Sequence, residues 1–447
     1  MRCVVGIDLG STTTKAVLID ENGELVGRGI TNSRSNFEVA AAVAREEALT
    51  AARFALLERS LAGRDDGLAE ALREAFRLEH YLDQLAELRA EIMRLIASPA
   101  TGSWAAGLEP AVESILDVAE RDAPALFAGP TRRSDFFRDL AGAAYMAGAE
   151  RLSERGEAPF EYVLSLYDRA VLNVETRLMS HSFAELLVRS AERVLRSGSG
   201  LGDVALVERA VAEASAEPIE EEAFVGTGYG RQTLPFPKPA VRSEILCHGR
   251  GAYWFFPGTR TVLDIGGQDT KAIQLDEQGV VTAFQMNDRC AAGCGRYLGY
   301  IADELNLGLH ELGPLALKAR RTVRVNSTCT VFAGAELRER LALGERREDI
   351  LAGLHRAIML RAMSLLARSG GIRSEFSFTG GVCKNPMASK VLGELVRENY
   401  GDEIEINIHP DSIYMGALGA ALFALDDFRA GTPSSLPTFS RAAETNA

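Results

Sequence analysis

A chain of 447 residues with 47% hydrophobic side chains is long enough to bury two or three separate cores. Its formal net charge of −13 repels nucleic-acid phosphates and anionic membrane surfaces alike, so neither is expected as a partner. No apolar run reaches the ~20 residues that a membrane-spanning helix needs, and the opening MRCVVGIDLG runs into a strand pattern where a secretory leader would show a cleavage region, so a cytoplasmic protein is expected.

In chain order, residues 3–9 and 16–20 are β-branched apolar runs flanking a polar loop at 10–15. Glu21, Asn22 and Gly23 then turn the chain into a third strand at 24–31, giving an antiparallel meander. From about Asn36 to Ala216, Ala, Leu, Glu and Arg dominate, with apolar residues three and four apart, as in Leu82, Leu85, Leu88, Ile92 and Leu95. This predicts packed amphipathic helices with breaks at 98–103 and 123–135. Such a region serves either as a docking platform for a partner subunit or as a helical embellishment on the core. Beyond Phe224 the order strand, polar loop, strand, turn, strand returns in residues 257–286. DLGSTTTK (Asp8–Lys15) and DIGGQDTK (Asp264–Lys271) therefore read as two copies of one hairpin.

A tight turn of small residues lets exposed backbone N–H groups approach a phosphate, and hydroxyls and a lysine add donors. The first copy offers Gly10, Ser11, Thr12, Thr13 and Lys15 to phosphates, with Asp8 holding Mg2+ directly or through water. The second offers Gly266, Gly267, Gln268 and Lys271, with Asp264 and Asp269 near the metal or the attacking water. A third segment, FTGGVCKNP, ends a strand at Gly380 and Gly381, passes Lys384, and opens a helix at Asn385 and Pro386, where backbone can lie flat against an adenosine.

These three elements in this order resemble the phosphate-1, phosphate-2 and adenosine loops of the ASKHA superfamily of sugar kinases, heat-shock chaperones and actin. The resemblance implies an α/β fold of two ribonuclease-H-like lobes closing over ATP, with a large α-helical insertion in the first lobe. Residues 1–36 would open that lobe, 37–216 form the insertion, 217–250 return to the lobe and connect to the next, and 251–412 form the second lobe. Residues 413–447 would carry a small-residue helix, YMGALGAALFAL, back to the first lobe, followed by a tail.

Six cysteines, Cys3, Cys247, Cys290, Cys294, Cys329 and Cys383, are spaced unlike a disulfide scaffold and read as reduced thiols, some free to bind metal. Cys290 precedes a helix whose Tyr297, Leu298, Ile301 and Leu305 share an apolar face, and Cys329 stands likewise before Phe332, Ala333 and Glu336. A thiolate at a helix start suits an anionic iron–sulfur cluster, although this spacing matches no standard four-cysteine run.

The segments GIDLGSTTTK, TGYGR (227–231), DIGGQD, MNDRCAAG, STCTVFA and TGGV, spread over nearly all the chain outside the helical region, closely resemble the BadF/BcrA/BcrD ATPase family. Members activate 2-hydroxyacyl-CoA dehydratases or energise benzoyl-CoA reductase. The resemblance implies that Cys290 and Cys329 ligate a 4Fe-4S cluster shared between two subunits. Two ligands per chain then call for a dimer, with a homologous smaller ATPase subunit or a second copy. Cys294 stands where simple dehydratase activators carry threonine, and they lack the helical region. Both departures favour the larger ATPase subunit of an ATP-dependent benzoyl-CoA reductase, fed by ferredoxin and delivering electrons to catalytic iron–sulfur reductase subunits. ATP would close the lobes and reorient the cluster-bearing helices.

Cys3, Cys247 and Cys383 read as core or loop thiols; Glu244 and His248 fall between the lobes in the sequence, a position from which they can line the cleft, His248 as a satisfied structural histidine more than as a catalyst. Three rivals remain: a dehydratase activator, a sugar or acid kinase with ordinary cysteines, and a non-redox ATP-switched scaffold.

Overall fold

The structure is a computed structural model and describes residues 1–33, 36–62, 66–98, 105–128, 136–175, 177, 180–197, 204–228, 236–287, 294–305, 307–325 and 330–432. Its elements run β1 (Arg2–Leu9), β2 (Thr13–Asp20), β3 (Leu25–Asn32), α1 (Phe37–Leu61), α2 (Asp66–Ile96), α3 (Ala105–Phe127), α4 (Phe137–Glu154), α5 (Phe160–Val174), α6 (Phe183–Arg196) and α7 (Val204–Ala216). They continue with β4 (Glu220–Gly228), α8 (Glu244–Phe255), β5 (Thr261–Ile265), β6 (Thr270–Leu275), β7 (Val281–Asn287), α9 (Gly295–Glu304), α10 (Leu309–Ala316), α11 (Thr330–Ala342), α12 (Arg347–Ser369), β8 (Phe376–Thr379), α13 (Pro386–Tyr400), β9 (Ile406–Ile408) and α14 (Met415–Arg429).

The chain divides into two compact units, Met1–Leu49 with Ile219–Ala447, and Thr50–Pro218. The first unit holds two sheets of matching design, with strand orders β3-β2-β1-β4 and β7-β6-β5-β8-β9. In each, three antiparallel strands form a meander and the first of them takes a parallel neighbour, β4 beside β1 and β8 beside β5. The parallel partners require long crossovers, supplied in the second sheet by helices α9 to α12.

Helices α8 and α14 join the two sheets. One core cluster takes Val4, Val17 and Val225 from the first sheet, Val262, Ile273 and Leu275 from the second, and Ile245, Cys247, Ala417, Leu418 and Ala421 from these helices. Each Val, Leu or Ile side chain among them contributes roughly 1.5–3 kcal/mol by leaving water. Small residues set the spacing. A Cβ on Gly6 would fall 2.1 Å from the Ala417 carbonyl oxygen, and one on Gly419 would fall 1.8 Å from that of Cys247, so α14 can pack this closely only against and through glycine.

On the far face of the second sheet, α9, α10, α12 and α13 build another core around Ile301, Leu312, Leu354, Ile358, Phe378 and Leu392. By length and composition α12 could cross a membrane, but charged residues interrupt it and most of its apolar window is buried in this core. In the second unit, Leu85, Leu88, Ile92, Leu116, Tyr145 and Leu166 form one core and Phe54, Leu72, Phe76, Leu187 and Val207 another. The break expected from residue 123 falls inside α3, which runs past Pro124 to Phe127 because Ala123 and Phe127 are buried on its inner face. The break expected at 98–103 lies, beyond Ser98, outside the described residues.

Candidate active site

Each hairpin sets its aspartate directly opposite its lysine. Asp8 of β1 pairs with Lys15 of β2, and Asp264 of β5 with Lys271 of β6. The first loop is held from below by Ser33, whose N–H donates to the Thr12 carbonyl at 3.0 Å and whose hydroxyl bonds the Gly10 carbonyl. Only glycine fits at 10, where a Cβ would lie 2.7 Å from the Thr13 carbonyl oxygen. Ser11, Thr13 and Lys15 are half-buried and Thr12 exposed, with the Lys15 Nζ 3.4 Å from the Thr13 carbonyl.

The two loops meet. A Cβ on Gly267 would overlap Thr12 Oγ1 at 1.9 Å, so backbone of the second loop lies against a side chain of the first. Gly266 closes its own turn, its N–H donating to the Asp269 carbonyl at 3.0 Å, and Gln268 beside it is half-buried. Gly380 has φ 84°, and a Cβ there would meet the Ile265 carbonyl at 2.4 Å; at Gly381 nothing lies within 4 Å of a Cβ, and Lys384 is exposed beside it. The third loop thus presses on the second at Gly380 and opens at Gly381. Asn385 ends it, its Oδ1 accepting from the N–H groups of Met387 and Ala388 at 3.0 and 3.1 Å to cap α13. His355 of α12 fixes that carboxamide: Asn385 Nδ2 donates to its Nε2 at 3.0 Å while Nδ1 donates to the Leu351 carbonyl at 2.7 Å.

Between the two aspartates stands α8. Its Glu244 and His248, one turn apart on a single face, are both buried. The His248 Nε2 lies 3.9 Å from Asp8 Oδ2 and 4.0 Å from Glu244 Oε1, and its Nδ1 lies 3.3 Å from Asp264 Oδ1, an ion-pair separation at which no hydrogen bond is aligned. The Lys271 Nζ, 2% exposed, reaches Asp269 at 2.9 Å, Glu244 at 3.0 Å and Asp264 at 3.4 Å. Thr379 of β8 donates to Asp264 Oδ1 at 2.8 Å. His248, read from sequence as a satisfied structural residue, therefore stands among carboxylates from both hairpins. Spacing within α8 gave Glu244 and His248 one face, but no local signal tied that face to an aspartate 240 residues away.

The charges are strongly coupled. Burial alone would raise the Asp264 carboxyl, yet His248 and Lys271 hold it far below the usual carboxylate range. Burial likewise opposes the charged forms of Lys271 and His248, and the surrounding carboxylates, Asp264 foremost, raise both above their ordinary values. Glu244 moves upward, burial outweighing the pull of Lys271 and His248. Asp8 Oδ1 is buried with no hydrogen-bond partner. Asp8, Glu244, Asp264 and Asp269 thus face one ammonium and one imidazole, an excess of negative charge together with an unsatisfied acceptor, which fits a divalent cation.

Cys290, Cys329 and residues 229–231 of the TGYGR segment lie outside the described residues. The helices that follow the two cysteines are described. Tyr300 of α9 lies against Gly334 of α11, and Arg338 of α11 pairs with Glu304 of α9. Both contacts share one sequence offset, so the two helices run parallel and start at the same end, where their positive dipole ends together favour an anionic group. The first turn of α9 is bonded to the second loop: Gly295 N–H donates to the Gly266 carbonyl at 2.8 Å and Arg296 N–H to the Gly267 carbonyl at 2.7 Å. Cys3, Cys247, Cys294 and Cys383 are buried and in no disulfide; burial pushes Cys3, Cys247 and Cys383 up to about 12, which keeps them protonated and inert.

The sequence profile of the BadF/BadG/BcrA/BcrD ATPase family matches residues 5–424. Among curated relatives, the (R)-2-hydroxyglutaryl-CoA dehydratase activating ATPase of Acidaminococcus fermentans is 40% identical over 235 residues, 52% of this chain and 87% of that protein. One of the subunits of benzoyl-CoA reductase from Thauera aromatica is 36% identical over 211 residues, 47% of this chain and 74% of that protein. Among solved structures, component A of the A. fermentans (R)-2-hydroxyglutaryl-CoA dehydratase superposes with TM-score 0.53 at 23% identity, covering 96% of this chain and all of that one.

Proposed function

Because the chain belongs to the BadF/BadG/BcrA/BcrD ATPase family, we propose that it hydrolyses ATP to pass low-potential electrons from a ferredoxin, through a 4Fe-4S cluster shared with a second ATPase subunit, to an acyl-CoA-reducing partner. One observation carries the reading: the loop assigned to the terminal phosphates is bonded, through the Gly266 and Gly267 carbonyls, to the first turn of the helix that follows the first cysteine motif. A shift of that loop on nucleotide binding moves α9, and α11 with it through Tyr300 and the Arg338–Glu304 pair.

In this reading Gly10, Ser11, Thr12, Thr13 and Lys15 take phosphate oxygens from one side and Gly266, Gly267 and Gln268 from the other, while Gly380, Gly381 and Lys384 border the adenosine. Asp264 has both oxygens engaged, by Thr379 and Lys271, and serves as a fixed charge; Asp8, with an unpartnered oxygen, is the free acceptor. Asp269 and Lys271 hold the second loop in register with that charge. Bound Mg2+ would screen the phosphates, and the cluster, on Cys290 and Cys329, would carry one electron at a time.

For the electron acceptor, the helical unit and Cys294 support the larger ATPase subunit of an ATP-dependent benzoyl-CoA reductase, partnered by a smaller homologue. A second reading, activator of a 2-hydroxyacyl-CoA dehydratase, is favoured by the 40% identity to one such activator. Anaerobic assay with each purified partner separates them. ATP consumed in proportion to product supports the reductase, ATP far below product supports the activator, and iron-free protein that phosphorylates a small hydroxyl compound would overturn both.

A further inference from the structure

Between Glu311 and Glu336 the sequence carries four cations, Lys318, Arg320, Arg321 and Arg324, and no carboxylate, in a chain whose formal net charge is −13. All four side chains are exposed. From this placement beside the second cysteine motif we infer that the segment joining α10 to α11 is the docking surface for the electron donor, an acidic redox-carrier protein of the ferredoxin kind. The inference rests on the electron-transfer reading above and adds to it where the donor binds.

An acidic chain repels an acidic carrier, so a productive encounter needs a local surface of opposite sign. On the neighbouring helices the positive charge is already neutralised: Arg338 pairs with Glu304, Arg340 with Glu336 and Glu345, and Arg346 with Glu348. Arg321 lies 3.7 Å from both Glu345 and Asp349. Lys318, Arg320 and Arg324 form no ion pair among the described residues, so their charge is available to a partner.

The segment is also anchored. Asp349, in the first turn of α12, accepts on Oδ1 from the N–H groups of Arg320 and Arg321 at 2.8 and 3.4 Å, and its carbonyl accepts from the Val323 N–H at 3.3 Å. Val323 and Val325 are buried in the core that α12 shares, and a Cβ on Gly353 would fall 1.9 Å from the Val323 carbonyl oxygen. Arg324, between the two valines, is exposed, and its carbonyl accepts from Arg340 Nη2 of α11 at 2.6 Å. A carrier therefore meets cations whose backbone is already ordered, which spares that part of the entropy cost of binding. These anchors involve none of the phosphate loops, which suits a donor that reloads the cluster before ATP acts. Five residues separate Arg324 from Cys329, at most ~18 Å of fully extended chain, and α11 opens at the next residue, Thr330. One electron leaves the reduced carrier and enters the cluster, with no bond made or broken.

The test measures binding of a purified, oxidised acidic bacterial ferredoxin to anaerobic, nucleotide-free holoprotein by titration calorimetry at several ionic strengths. Kd should rise with salt. Lys318→Glu/Arg320→Glu/Arg324→Glu should weaken binding about tenfold or more and flatten the salt dependence, whereas an equal charge change on exposed arginines of the helical unit, Arg121→Glu/Arg155→Glu/Arg196→Glu, should alter it less than about twofold. The neutral set Lys318→Gln/Arg320→Gln/Arg324→Gln should fall between, which keeps the result readable if charge reversal disturbs the fold. Stopped-flow reduction of the cluster by reduced ferredoxin should slow in the same order, with the EPR signal of the dithionite-reduced cluster unchanged. Binding indifferent to the reversal, binding weakened equally by the helical-unit set, or a reversal that weakens only the acyl-CoA-reducing partner would each overturn the inference. Iron analysis of the same samples separates the two failures: iron-free protein removes the electron-transfer reading itself, whereas iron-loaded protein whose ferredoxin binding ignores the reversal removes this surface alone.

Discussion

Asp264 is the most tightly determined side chain of the site. Held ionised by Lys271 and His248 and bonded by Thr379, it sets the field in which the phosphate loops work. Asp264→Asn should keep its bond to Thr379 and its packing while leaving Lys271 underneutralised. We expect ATP hydrolysis to fall about a hundredfold or more with iron content unchanged; unaltered turnover would remove Asp264 from the site. His355 governs a different property. Burial lowers its pKa, and its neutral tautomer bridges Leu351 and Asn385, so its contribution to stability is complete above the unfolded value near 6.5 and is lost as pH falls toward the lower folded value. Urea midpoints should drop between about pH 7 and pH 5, and His355→Gln should flatten that slope. The glycines and hydroxyls of the loops were legible because turn chemistry is local. The pairing of His248 with both aspartates was not, because it depends on how α8 packs across two sheets.

At the scale of elements, the hairpins declare themselves twice, in DLGSTTTK and DIGGQDTK, since alternating apolar residues around a small-residue turn admit few other structures. What the pattern could not give is that the two loops touch. Gly267→Ala should drive its methyl into Thr12 and raise KM for ATP severalfold, and adding Thr12→Gly should restore much of the loss. Failure of that rescue would show that the contact does not matter to nucleotide binding. The link from Gly266 and Gly267 to α9 was also invisible in sequence, being made by backbone groups alone. Helix α12 shows the opposite limit: its apolar length mimics a membrane span because it is packed inside a core.

For the whole molecule, the helical composition of residues 37–216 was readable, whereas the contact boundary falls at Leu49 and Thr50, within α1, where no change of composition marks it. The unit Thr50–Pro218 carries its own apolar cores, so calorimetry should resolve more than one transition. Leu88→Ala should lower only one of them, by about 2–5 kcal/mol; a uniform shift of all transitions would argue for one cooperative unit. The central claim is that ATP acts on the electron through the loop-to-helix link. Its most direct test is EPR of the anaerobic, dithionite-reduced protein with and without a non-hydrolysable ATP analogue. We predict about four irons per two chains, a cluster signal lost on Cys290→Ser or Cys329→Ser, and a nucleotide-induced change in that signal. A folded ATPase without iron, or a cluster signal indifferent to nucleotide, would contradict the account.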